Sequence, residues 1–419
     1  MRNFLFLFIL FLEISSLSGC SLLHKSLDKM LIQVASLDDD ALLQLLSAKP
    51  VDPGKKALRE DLLSLSKHAQ VNISQMLIDS GAQVNARNAE RKTPLMLAAD
   101  NDRESLAALF ILKGAKLELT DHNGQTAKTL AESKKNQNTL SVLWYAERLK
   151  SPPDISSVNR LLHDACVTGS VGAVGLLLDK GADVNSTLPD NPNSIPLLLA
   201  SMLGHQETMR LLLDRGADIN TTDTDGQNAL CLAVSSYTYA VNETEYLDTL
   251  RLLLDHKVAV DKAARGGEYN ALSLAIKLNQ TAAVELLLDN GADPNIIDAD
   301  NHTALALATR NRNEDIIKAL INHGADVNAV TADGKTALSY AESGTIISQL
   351  VKNGANINHI DRNGDTILMK AVKNGSIELV KACMQNGADI GIVDKGGQTA
   401  LELASEPIIQ ILKAAENGR

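Results

Sequence analysis

The sequence is poor in rings. Phe, Trp and Tyr together make up 3% of 419 residues, with a single Trp. A core with so few rings must be built from Leu, Ala, Ile and Val, which suits thin helical layers better than a wide sheet sandwich. Cysteine is also scarce. Of the four, Cys166, Cys231 and Cys383 are scattered, with no CxxC and no paired histidine spacing. That excludes a disulfide framework and a zinc site, and the three are expected as small buried apolar residues. An excess of positive charge is missing too: 40 Lys and Arg face 51 Asp and Glu, a net charge of −11. Such a surface repels phosphate backbones, so nucleic acid is not an expected partner.

Catalytic signatures are absent as well. There is no HExxH, GxSxG or GxGxxG. Gly334-Lys335-Thr336 resembles the end of a phosphate loop, but Ala329 stands where its first glycine is required. The acidic turn Asp223-Thr224-Asp225-Gly226 lacks the bidentate Glu that closes a calcium loop. His163 and Cys166 stand one helical turn apart, as a base and a nucleophile could. The expectation is nevertheless a non-enzyme with no cofactor, no metal and no small-molecule substrate.

Long apolar runs are limited to residues 4–12, behind Arg2 and ahead of Glu13. That run is too short for a bilayer core, which needs roughly 20 residues, and has the length of a signal-peptide h-region. Leu17-Ser18-Gly19-Cys20 follows and resembles the bacterial lipobox. By that resemblance residues 1–19 are removed and Cys20 carries the lipid. Ser21, where an Asp would signal inner-membrane retention, directs the product to the outer membrane, facing the periplasm or the exterior. The competing readings are an ordinary signal peptide cut after Ser18 and an uncleaved anchor. Loss of residues 1–19 removes one Arg and one Glu, so the charge stays at −11.

What is abundant is repetition. Gly-Ala-x-apolar-Asn occurs at 81–85, 181–185, 216–220, 291–295, 324–328 and 354–358, with weaker copies beginning at Gly114, Lys257 and Gly387. About twelve residues after most copies comes Thr-x-Leu-x-x-Ala, as at 93–98, 303–308, 336–341, 366–371 and 399–404. Degenerate copies start at Thr126, Arg160, Ile195, Asn228 and Asn270, giving a spacing near 33. Within one period, 298–323, Thr303 is placed to cap a helix. Ile316, Ile317, Leu320 and Ile321 form one face of a second helix, and Gly324 ends it. Neither helix can bury its face alone, so neighbours must stack.

A 33-residue period with these two elements resembles the ankyrin repeat, from about residue 58 to 419. The resemblance implies an all-α solenoid of about 11 helix-turn-helix repeats. We divide the chain into a signal peptide at 1–19, a lipidated tether at 20–25 and a degenerate helical cap at 26–57. A first sub-stack at 58–150 and a second at 151–419 follow, separated at the distorted copy that holds Trp144. That Trp is expected to fill an irregular core interface. The copies at Thr336 and Thr399 lack about three residues between their helices, and an eight-residue insertion lies near 235–246.

Ankyrin arrays bind proteins through turn tips and first helices. By resemblance the candidate contacts are therefore Arg91, His122, Asp225, His302, Asp333 and Arg362 in the tips. Tyr237, Tyr239 and Tyr246 of the insertion join them, since exposed tyrosines on loops are common contact residues; the other reading is a longer helix pair with the tyrosines packed on the neighbour. His163 falls where such repeats carry a histidine that braces the next turn. The expected role is a membrane-anchored, non-catalytic scaffold for an unidentified protein partner, held in the bacterial cell envelope by lipid on Cys20. The alternatives are an immunity protein that neutralises a toxin or secreted enzyme, and, more remotely, an enzyme with an unrecognised site.

Overall fold

A computed structural model describes residues 20–36, 70–149, 154–236, 242–264, 269–298 and 300–417. Every regular element among the described residues is helical, joined by a few isolated bridges such as Ile297 to Thr303. The all-α expectation therefore holds. Short helices come in pairs, exemplified by Ala304–Arg310 with Glu314–Asn322.

That pair shows why the sequence folds as it does. Thr303 Oγ1 accepts from the Ala306 N–H at 3.1 Å, satisfying a free donor of the first turn. Thr366 and Asn228 act the same way on Met369 and Cys231. Asn313 caps the second helix at Ile316, and Glu314 and Asp315 complement its positive end. Leu305, Leu307, Ile316, Ile317 and Leu320 are buried, each worth about 1.5–3 kcal/mol against exposure. Gly324 closes the helix with φ of 91°, and the Ala325 N–H reaches back to Leu320 O at 2.9 Å.

The chain divides into two compact units, residues 1–200 with 207–217, and residues 201–206 with 218–419. In the first unit the helix Cys20–Ser36 packs on Pro94–Asp100. Asp28 Oδ1 accepts from the Gln83 N–H at 2.7 Å. Residues 20–25, assigned to a tether, thus belong to a helix, and the second half of the cap at 37–57 lies outside the described residues. Helices on the two sides of residue 150 are in contact. Glu104–Leu112 packs directly on Val171–Asp179, two repeats on, and Gln137–Arg148 touches both. A Cβ on Gly172 would lie 2.9 Å from the Glu104 carbonyl oxygen, so the glycine is what lets these helices touch. Glu104 Oε2 accepts from the Gly172 N–H and the Ser170 hydroxyl, both at 3.1 Å. Trp144 is displaced outward, 39% exposed, with Arg148 over its ring.

In the second unit the insertion lengthens a second helix, Glu243–Asp255, to 13 residues, against nine for Thr281–Asp289. The contraction after Thr336 does the reverse. A four-residue 3-10 turn, Ala337–Tyr340, replaces the first helix of that repeat.

Candidate protein-binding surface

Between one pair and the next the chain makes a tight finger. Its geometry is dictated by the first residue, usually Asp. Asp361 receives the N–H of Gly364 at its carbonyl, 2.9 Å, and gives its own N–H to the Asp365 carbonyl, 3.1 Å. Its Oδ1 accepts from the N–H groups of Asn363 and Asp365 at 2.8 and 3.0 Å. The same bonds recur at Asp121, Asp223 and Asp394. Asn88 and Thr331 fill this role in two other fingers.

Lysines of the first helices tie the fingers down. Lys370 Nζ lies 2.9 Å from Asp361 Oδ2 and Lys277 Nζ 3.1 Å from Asp298 Oδ2. Burial raises the pKa of both carboxyls, but bonds from Lys370 to Asp361, and from the His302 N–H and Lys277 to Asp298, leave each below its ordinary value. Asp298, Asp300 and His302 bring potential ligand atoms within 4.8 Å of one another. The Lys277 ammonium already supplies positive charge at Asp298, so the cluster serves as a finger anchor.

Two of the named tip residues lie in the first unit. Arg91 is exposed and sits at φ 60°, the position where Gly124 stands in the next finger. His122 gives its backbone N–H to Glu90 O at 3.1 Å, and its Nε2 donates to Ala89 O at 2.9 Å. In the second unit Asp225, Asp333 and Arg362 are exposed tips, and His302 is half-buried. Lys335 and the Thr331 hydroxyl hold the Asp333 carboxyl down at about 2. The Arg362 N–H reaches Asp333 O of the preceding finger at 3.4 Å, and His359 Nε2 donates to Gly334 O at 2.8 Å. Adjacent fingers are thereby tied side by side.

Of the two readings of the insertion, Tyr246 follows the longer helix and not the exposed contact: it is 4% exposed and its hydroxyl lies 2.5 Å from Gln280 Oε1, which corrects its place among the candidate contacts. Tyr237 and Tyr239 lie outside the described residues, and nothing about the Cys20 side chain is described. His163 and Cys166 form no catalytic pair: both ring nitrogens engage serine hydroxyls, Ser194 at 2.7 Å and Ser186 at 3.0 Å. Burial pushes the Cys166 thiol far up, Cys231 to about 11 and Cys383 to about 12, so all three stay protonated.

The tip reading missed a stripe at the finger bases. Ile297, Val330, Ile360 and Val393 precede the first residue of four successive fingers and are 57, 52, 48 and 51% exposed. The signal was available as a β-branched residue at one phase of the repeat. Its exposure was not, because an apolar letter in an apolar pattern reads as core.

Comparison with known proteins identifies the repeat from its sequence. A family profile described as ankyrin repeats (3 copies) matches residues 162–263, 197–298 and 272–361, and a second, ankyrin repeats (many copies), matches 350–404. Rabankyrin-5 of Mus musculus is 28% identical over 137 residues, 32% of this chain and 12% of that protein. The nuclear factor NF-kappa-B p105 subunit of Gallus gallus is 26% identical over 150 residues, 35% of this chain and 15% of its own length. The alignments therefore take in less than a sixth of these relatives. The crystal structure of the ankyrin repeat domain of Bcl-3, an IkappaB family member, is 26% identical with a TM-score of 0.41, covering 60% of this chain and 97% of that one.

Proposed function

With residues 162–404 established as ankyrin repeats, we propose that the chain is a non-catalytic scaffold that binds another protein along the fingers and first helices of its second unit. One observation carries the reading: four β-branched residues, each about half exposed, recur at the same position of consecutive fingers. Single exposed apolar residues are ordinary, whereas a row of them in register marks a contact surface. The exposed tips Asp225, Asp333 and Arg362 surround that row with charge suited to a polar rim.

The same proposal places the scaffold in a bacterial cell envelope, tethered through lipid on Cys20. Its support is the Leu17-Ser18-Gly19-Cys20 box behind a nine-residue apolar run. No helix among the described residues is long and apolar enough to cross a membrane. Three acyl chains, each buried CH₂ adding about 0.8 kcal/mol, make a lasting anchor.

Site-specific photocrosslinking in cells tests the binding reading. A photoreactive residue at Ile360 or Val393 should capture one and the same protein, and the exposed outer-helix position Lys318 should not. Equal capture from Lys318, or none from the stripe, refutes the reading. For the tether, Cys20→Ala should abolish radiolabelled palmitate incorporation; label retained on the variant rules the tether out.

A further inference from the structure

The contracted repeat leaves a hollow on the first-helix side of the second unit. In the layers before and after it, first helices of seven residues, Ala304–Arg310 and Ile367–Lys373, lead through a short turn to the second helix. Between them stands only the 3-10 turn Ala337–Tyr340, and the second helix already begins at Gly344. The missing turn of helix opens a space of about 250 Å³ between its neighbours, walled by Arg310, Tyr340, Ala341, Ile367, Lys370 and Asn374.

The charges around this hollow are unevenly satisfied. Lys370 is committed to Asp361 at 2.9 Å. Glu342, which also lines the hollow, has its carboxylate on Arg312. Lys335 lies 2.5 Å from Asp333 and 5.4 Å from the Tyr340 ring centre. Arg310 differs. Its Nη1 donates to His302 Nε2 at 3.2 Å and its guanidinium carbon stands 6.0 Å from the Tyr340 ring centre. No carboxylate among the described residues lies within ion-pair distance of it. A guanidinium bonded to a neutral ring and not to a carboxylate is conspicuous in a chain with net charge −11.

We propose that this hollow receives the side-chain carboxylate of an Asp or Glu on a partner peptide, with Arg310 as the donor. The inference rests on the first-helix face being a protein-binding surface, as argued above, and specifies the chemistry read there. A guanidinium presents parallel N–H groups that match a carboxylate, and partial enclosure strengthens the pair relative to open water. The Asn374 amide at the rim can add a neutral donor, and the Tyr340 ring supplies a flat wall for the methylene stem of the incoming side chain. The aspartates that tie down the neighbouring lysines leave Arg310 as the point where an outside acid gains most.

The test is selection of short linear peptides from a random display library on the full chain, followed by binding measurements on selected peptides with amidated C-termini. The amide excludes a terminal carboxylate as the occupant. A shared Asp or Glu should appear, and its change to Asn or Gln should weaken binding about tenfold or more. Arg310→Gln should cause a loss of similar size, and the two losses should overlap rather than multiply when combined. Asn374→Glu, at an exposed rim position, should also weaken binding by supplying an internal acid, whereas Lys318→Gln on the outer helix should not. Peptides selected without a required acid, no selected peptides, or losses that multiply would overturn the proposal. Stripe crosslinks that persist while Arg310→Gln changes nothing would sink the hollow alone; loss of the stripe crosslinks themselves sinks the binding reading.

Discussion

His163 Nδ1 lies 2.7 Å from the Ser194 hydroxyl, linking the first helix of one repeat to the turn that opens the next. Nε2 meets Ser186 Oγ at 3.0 Å, so the imidazole bridges both ends of an inter-repeat loop while 2% exposed. Burial, with a contribution from Arg160, lowers its pKa to about 4 from 6.5 despite the bond to Ser186. The neutral ring is the folded form. As pH falls below about 6.5 the unfolded chain takes up a proton that the folded chain refuses until about 4. Stability should therefore be flat in this respect above 6.5 and fall by up to about 3 kcal/mol between 6.5 and 4. Chemical denaturation of the wild type and His163→Asn across that range measures it. An equal slope in both proteins would remove His163 from the account.

The asparagine that ends Gly-Ala-x-apolar-Asn has a mechanical task. Asn328 Nδ2 donates to Gly354 O at 2.9 Å and its Oδ1 accepts from the Asn356 N–H at 2.8 Å, one repeat ahead. Asn295 does the same to Gly324 and Asp326, and Asn85 to Gly114 and Lys116. Asn328→Ala should cost about 1–2 kcal/mol, because two exposed bonds are lost and no apolar core is disturbed. Asn328→Asp keeps the acceptor and should cost less. Urea titrations that find both variants as stable as the wild type would contradict the clamp.

Arg91 occupies the left-handed region, φ 60°, at the finger position taken by Gly124, Gly334 and Gly364 elsewhere. A side chain there strains the backbone by roughly 1 kcal/mol. Arg91→Gly should raise the melting temperature despite deleting a long side chain, whereas Arg91→Val should lower it sharply. Thermal melts that rank the three proteins in any other order count against the strain.

Gly172 faces backbone, not a flexible tip: a Cβ would sit 2.9 Å from the carbonyl carbon and oxygen of Glu104. Gly172→Ala must force two helices apart and is expected to destabilise by about 1–3 kcal/mol. Gly175, where an added Cβ would meet Leu211 at an ordinary 3.7 Å, is the control. Gly175→Ala should be neutral or mildly stabilising, since alanine favours helix.

The sequence makes the repeat legible because each layer uses the same few letters for the same tasks. Thr303 and Gly324 can be assigned a cap and a stop from spacing alone, and the structure places them so, whereas the cap at Asn313 and the clamp at Asn328 are findings of the structure. The brace at His163 was legible for the same reason. Departures were less readable, since they depend on neighbours. The insertion near 235–246 reads either as a loop with exposed tyrosines or as a longer helix, and what decides for the helix at Tyr246 is a buried partner, Gln280, 34 residues on. The distorted repeat at Trp144 reads as a boundary between sub-stacks, yet Gly172 lets Val171–Asp179 pack on Glu104–Leu112 of the repeat before it. The three-residue contraction after Thr336 was plain in the spacing. The hollow it opens depends on Arg310 and Lys370 lying to either side, which no single repeat records.

The clamps act in one direction, each amide reaching forward to the next layer, so the second unit behaves like a chain of couplings in series. The couplings are not all of one make: Asn295 and Asn328 each hold the next layer by two bonds, whereas Asn220 and Asn358 hold it by one, accepting from the Ala259 and Asp389 N–H groups. Asp261 stands at the asparagine position and accepts from the Asp293 N–H at 3.1 Å, but a carboxylate has no hydrogen to return to the carbonyl ahead. Pulled from its ends, that unit should yield first at a joint without the return bond, 220 to 259, 261 to 293 or 358 to 389. Asp261→Asn would give this link the second strand that Asn295 carries and remove it from the weak joints.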